Sequence, residues 1–91
     1  MEFEWDENKN KLNQDKHGID FNDAKEVFKD ENRTLSEDNR FDYREKRWIT
    51  VGIVANVFLT VVYTIRDAIR LISARRSNRK ERQEYNNKKS K

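Results

Sequence analysis

The stretch RWITVGIVANVFLTVVYTIRD, residues 47–67, constrains the fold more than any other part of the chain. From Ile49 to Ile65 it runs 17 residues without a charge, and 11 of those are Val, Ile or Thr. β-Branched side chains favour strands, and a membrane-spanning helix needs about 20 consecutive apolar residues. Ala55-Asn56 lies midway and reads as a tight hairpin turn. Two adjacent antiparallel strands are therefore expected, at 47–54 and 57–66. A third is expected at 68–75, joined through a short turn at Arg66-Asp67, and no membrane association is expected.

Before this run the pattern changes. MEFEW alternates, with Met1, Phe3 and Trp5 on one side and Glu2 and Glu4 on the other, the period of a short strand. Asp6 is placed to cap a helix over 7–17, and Gly18 to take the left-handed position that ends it. Leu12 is the only aliphatic residue of that helix, so it is expected to lie on the surface, weakly held. Asp20 caps a second helix over 21–29, whose Phe21, Ala24, Val27 and Phe28 form an apolar stripe. Residues 30–46 are polar and read as a loop with room for a short edge strand. Ser77 is expected to cap a last helix over 78–86 that frays into a basic end at 86–91. The order gives a small α+β domain: an N-terminal strand and two helices on one face of an antiparallel sheet, then a C-terminal helix.

With 91 residues, the chain has room for one core. It has one histidine and no cysteine, so neither a disulfide framework nor a zinc site is expected, and no other metal or cofactor is. The start lacks a basic-then-apolar leader, which leads to the expectation of a cytoplasmic protein. Charge is distributed unevenly. Residues 1–45 carry 8 basic and 14 acidic side chains, whereas residues 46–91 carry 12 and 3. Such a second half suits an anionic partner.

Guanidinium groups are planar, bidentate and permanently charged, which suits phosphate. Arg66, Arg70, Arg76, Arg79 and Arg82 are candidate RNA contacts, and the ring of Trp48 is a surface on which a base could stack. RNA can be cut without metal when a base deprotonates the 2′-hydroxyl, cations hold the developing charge and an acid protonates the leaving oxygen. His17 is a residue type that titrates near neutrality, and Lys16, Arg47 and Arg75 could supply charge. Glu81 and Tyr85, four apart on one helical face, are further acid or base candidates. Helical geometry leaves another role for His17, since a histidine in a last helical turn complements the helix dipole without further function. An up-down-up sheet puts Arg47 and Arg66 at one end and Arg75 at the other, so spacing alone does not gather them.

Several stretches in order resemble the BrnT family of type II toxins: FEWDENK at 3–9, KHGIDFNDAKEVF at 16–28, RWITVG at 47–52, VVYTIR at 61–66 and IRLISARRSNRKERQEY at 69–85. The resemblance implies a ribonuclease of RelE-like α+β fold that acts on RNA in the bacterial cytoplasm and inhibits translation. It also implies a cognate antitoxin, a ribbon-helix-helix DNA-binding protein through which alone DNA is contacted. It favours Lys16, His17, Arg47 and Arg75 as site residues, and extends to Glu81 and Tyr85. Two stretches depart from the family's commoner pattern: residues 31–44 lack its prolines and glycines, and NNKKSK follows Tyr85. Without the resemblance, a non-catalytic nucleic-acid-binding module, or a partner-binding protein with a basic tail, would fit the same residues.

Overall fold

A computed structural model describes residues 1–89. Its elements are β1 (Phe3–Glu4), α1 (Glu7–His17), α2 (Phe21–Ala24) running on as a 3-10 turn (Lys25–Lys29), β2 (Ser36–Glu37), β3 (Trp48–Val54), β4 (Val57–Ile65), β5 (Ile69–Arg76) and α3 (Arg79–Lys89). The five strands form one sheet in the order β1-β5-β4-β3-β2. β3, β4 and β5 are the expected antiparallel meander, and β1 adds to β5 in parallel, which makes the sheet mixed.

The uncharged run folds as two strands because its midpoint turns. Ala55 (φ 49°) and Asn56 (φ 67°) both take left-handed backbone, the two-residue hairpin turn whose twist matches that of the flanking strands. No helix of the described residues is long and apolar enough to cross a membrane. β1 is shorter than the expected 1–5, since β5 offers it only Ile69 and Arg70 as partners.

α1 and α2 cover one sheet face. Phe21, Ala24 and Val27 are fully buried there with Leu59, Val61, Leu71 and Ala74. The 3-10 turn approaches β3 so closely that a Cβ on Gly52 would lie 2.4 Å from Val27 Cγ2. As expected, Asp6 and Asp20 cap the two helices and Gly18 (φ 70°) ends the first.

What holds α1 differs from the expectation of weak attachment. Leu12 is two-thirds exposed, while Asn10 and Asn13 are buried. Asn13 Nδ2 donates to the carbonyls of Ala74 (2.8 Å) and Ile19 (2.9 Å), and its Oδ1 accepts the Ala74 N–H (3.1 Å). An amide side chain thus takes the place of a neighbouring strand on the outer edge of β5. Asn10 similarly ties α1 to Asp20 and the Phe21 N–H.

Loop 30–34 covers the other exposed edge. Thr34 donates its N–H to Val51 O and accepts Val51 N–H on Oγ1, and Asp30 Oδ2 accepts Ile53 N–H.

α3 begins one residue later than expected, and its cap is Asn78 rather than Ser77. The Ser77 hydroxyl is committed to Thr60 Oγ1 at 2.7 Å and its N–H to Phe58 O. Of the end expected to fray from Asn86, residues to Lys89 are helical, and Ser90 and Lys91 lie outside the described residues.

Candidate functional site

Strand register decides where the arginines go. Thr50, Val61 and Ala74 form a row on the helix-covered face, and Val51, Thr60 and Arg75 form the next row on the opposite face. On that opposite face the Arg75 guanidinium meets α3. Its Nη1 and Nη2 donate to Glu81 Oε1 and Oε2 at 2.7 and 2.8 Å, and Nη1 also reaches Arg76 O at 3.3 Å.

Glu81 has a second task. Its Oε1 accepts the Asn78 N–H at 2.8 Å, while Asn78 Oδ1 accepts the Glu81 N–H at 2.9 Å, a reciprocal capping box. Burial pushes the Glu81 carboxyl up, but hydrogen bonds from Arg75 and Asn78 and the charge of Arg75 hold it below the usual range. Glu81 is therefore ionised at neutral pH and engaged on both oxygens. Its chemistry is to aim Arg75.

A guanidinium has five N–H donors. With three used by Glu81 and Arg76, Arg75 keeps its Nε–H and outer Nη2–H without a partner among the described residues, the side-on fork that matches two phosphate oxygens. Arg75 lines a cleft of about 310 Å³ whose wall carries Asn78, Lys80, Glu81 and Glu84. Ile49 and Val51 also line it, with Ser36 of β2 and the loop residues Thr34 and Arg40.

Lys16 and His17 sit elsewhere. They occupy the last turn of α1, and with Lys9, Leu12, Asn13, Ile72 and Ser73 they line a cleft of about 220 Å³ on the outer edge of β5. His17 is half-buried, and its ring has no hydrogen-bond or ion-pair partner among the described residues. The two clefts share no residue, yet Ser73 is paired with Val62 and stands two positions before Arg75 on the same strand face. Each thus takes a lining residue from β5.

Arg47, Arg66 and Arg70 gather at the opposite end of the sheet, each beside a carboxylate. Arg66 Nη2 bonds Glu45 at 3.0 Å, Arg47 Nε lies 3.8 Å from Glu45, and Arg70 bonds Glu4 at 3.2 Å. The Arg66 hydrogen bond outweighs partial burial and holds the Glu45 carboxyl low. Arg47 lies over the Tyr43 ring at 4.0 Å, its Nε buried without a hydrogen bond. Trp48 is half-buried opposite Tyr63 and Glu37.

Tyr85 is 2% exposed. Its hydroxyl donates to Asp30 Oδ2 at 2.7 Å and its ring meets Phe58 edge-on. Burial and the Asp30 hydrogen bond push its pKa up to about 12. Arg82 donates to Ser77 O, whereas Arg76, Arg79 and Lys80 are exposed, without an ion pair among the described residues.

Sequence reasoning missed Asn78 and Arg40. The N-x-x-E spacing of Asn78 and Glu81 is a capping-box pattern and could have revealed the first. Nothing in the polar run around Arg40 marks it as a wall of the cleft.

No curated protein matches the chain. A family model does, over residues 5–81, a span that holds Lys16, His17, Arg75, Asn78 and Glu81 but stops short of Tyr85; its description is ribonuclease toxin, BrnT, of type II toxin-antitoxin system. With most of its length matched in this way, the chain belongs to the BrnT family of ribonuclease toxins.

Proposed function

We propose that the chain is a metal-independent endoribonuclease that cuts RNA, thereby inhibits translation, and is neutralised by a cognate antitoxin of ribbon-helix-helix type, with DNA contacted only through that complex. The observation that carries this reading is the Arg75 fork, aimed by Glu81 with two N–H groups to spare in an open cleft.

In the reaction the 2′-oxygen attacks the adjacent phosphorus, the bond from phosphorus to the 5′-oxygen breaks, and the products end in a 2′,3′-cyclic phosphate and a 5′-hydroxyl. Arg75 holds the charge that grows on the non-bridging oxygens, the place of a metal in other ribonucleases. A strand lying across the edge of β5 brings Lys16 and His17 to the same phosphodiester, where the imidazole exchanges a proton with the reacting oxygens. Glu81 is a positioning residue, and Tyr85 anchors α3 to Asp30 and Phe58. Lys80 on the cleft wall and Arg76 and Arg79 beyond it track the RNA backbone, and Arg82 steadies the turn into α3. At the far end of the sheet, Arg47, Arg66 and Arg70 reach the backbone only by sharing their carboxylates.

The test is partner-free protein incubated with RNA in EDTA, with and without ribosomes, beside His17→Ala and Arg75→Ala. Cutting by the native protein is expected, with a loss of about 10²–10³-fold in Arg75→Ala, the size of one lost oxyanion donor. RNA that stays intact under both conditions, yet binds with a steep salt dependence, would reduce the molecule to a nucleic-acid-binding module.

A further inference from the structure

We propose that the loop over residues 38–47 is a nucleobase-binding platform for the same RNA strand, on which one base of single-stranded RNA stacks on Phe41 beside Tyr43. The inference rests on the ribonuclease reading and adds to it a subsite that recognises bases rather than phosphates.

Phe41 is 70% exposed, an unusual setting for a phenyl ring in a chain so rich in charge. It is not loose. Its ring meets that of Tyr43 at 5.8 Å and 76°, edge to face. Tyr43 is fixed in turn: its hydroxyl donates to Asp38 Oδ2 at 3.1 Å, and the Arg47 guanidinium covers the ring at 4.0 Å.

Asp38, 3% exposed, ties the loop together. It accepts from Arg40 Nε (2.8 Å), Arg40 Nη2 (2.9 Å) and the Arg40 N–H (3.2 Å), and its own N–H joins Arg47 O at 2.8 Å. The two rings are therefore held on a closed loop of ten residues. Stacking on rigid rings costs little ordering when a base arrives.

Position supplies the second argument. Arg40 is both the partner of Asp38 and a wall of the Arg75 cleft, and Phe41 follows it directly. An RNA strand whose phosphate is held by Arg75 and that follows the cleft wall past Arg40 runs toward the rings at the far end of β3. Beside them lies a hollow of about 300 Å³ bordered by the carboxylates of Asp42 and Glu45 and by Arg44 and Arg47. Acceptors and donors side by side suit the edge of a base. An aromatic pair with guanidinium support is the chemistry by which single-stranded RNA bases are held.

The experiment uses a short fluorescent RNA carrying 2′-O-methyl groups, which removes the nucleophile, titrated onto the full chain. Phe41→Ala is expected to raise Kd roughly 5- to 150-fold, the worth of one stacked base. The slope of log Kd against log salt should stay unchanged, since no cation is lost. Phe41→Trp should restore binding, with its indole fluorescence quenched on saturation. A probe abasic at the stacked position should bind native protein and Phe41→Ala alike. The exposed site makes an unchanged melting temperature the expected result for Phe41→Ala.

Equal affinity of native protein and Phe41→Ala for the intact probe, in a protein that still cuts RNA, would overturn the platform and leave the ribonuclease standing. So would a Phe41→Ala variant that binds RNA normally but no longer binds its antitoxin, which would make the rings a protein contact. A native protein that neither binds the probe nor cuts RNA overturns both proposals.

Discussion

Replacing Asn13 by alanine tests the attachment of α1 and, through it, the placement of Lys16 and His17 one turn further on. The side chain makes three hydrogen bonds, two to Ala74 and one to Ile19. Alanine removes all three and leaves an N–H and two carbonyls without these partners at a site where Asn13 is 7% exposed. An orphaned buried polar group costs about 1–3 kcal/mol. The shortened side chain leaves space in which a water can reach one carbonyl, so the lower part of that range applies and the sum is about 3 kcal/mol. Unfolding entropy of about 2.1 cal/mol/K per residue makes that loss worth roughly 15 °C in melting temperature. Thermal and urea unfolding followed by far-ultraviolet circular dichroism measures it. Asn13→Asp should do worse than alanine at neutral pH, because its carboxylate faces the oxygens of Ala74 and Ile19. Those oxygens raise the folded-state pKa of the new acid, so its penalty is present at neutral pH and relieved as the pH falls. A loss below about 1 kcal/mol in Asn13→Ala would refute the idea that the amide substitutes for a strand, and with it the account of why a helix with one exposed leucine stays docked.

Gly52→Ala places a Cβ 2.4 Å from Val27 Cγ2, in a side chain that is itself fully buried. Overpacking of about 1–3 kcal/mol is expected, and Val27→Ala in the same chain should recover part of it; a double variant no better than the sum of the singles would count against the contact. Asp38 gives the acid response: the Arg40 hydrogen bonds outweigh burial and draw its pKa down to about 2 from 3.8. A depressed folded-state pKa stabilises above the unfolded value, so this contribution is complete above about pH 4 and lost as the pH falls toward 2. It amounts to at most about 2 kcal/mol, since Arg40 is more than half exposed and screened. Asp38→Asn should therefore flatten the acid unfolding curve between pH 4 and 2; an unchanged curve would show that other carboxylates govern it.

Elements whose signal is local were legible in the sequence. The β-branched run with Ala55-Asn56 at its centre specified a hairpin, and Asp6, Gly18 and Asp20 specified helix ends through groups within a few residues of each. What remained hidden depends on polar side chains that meet partners far along the chain. Asn13 reads as a surface residue because amides usually are, and only a strand edge 61 positions away makes it a core contact. Thr34 and Asp30 are likewise unremarkable until β3 presents an unpaired edge. The arginines show the same limit. Composition collected them in the second half of the chain, whereas register sent Arg47, Arg66 and Arg70 to one end and Arg75 to the cleft on α3. The pairing of Arg75 with Glu81 needs the angle between β5 and α3, which no spacing rule contains.

The route of the chain through the Arg75 cleft sets the moment at which the site comes into being. Its walls are drawn from residues 34–40, from β3, and from residues 75–84, while β1 finds its partner only in Ile69 and Arg70. A ribosome delivers the amino-terminal part first. Until the segment from β5 to Glu84 has emerged, the nascent chain has half a cleft, an open sheet, and no carboxylate to aim the guanidinium. The cleft proposed to hold RNA is thus completed only by the last contacts of folding, after most of the message has been translated.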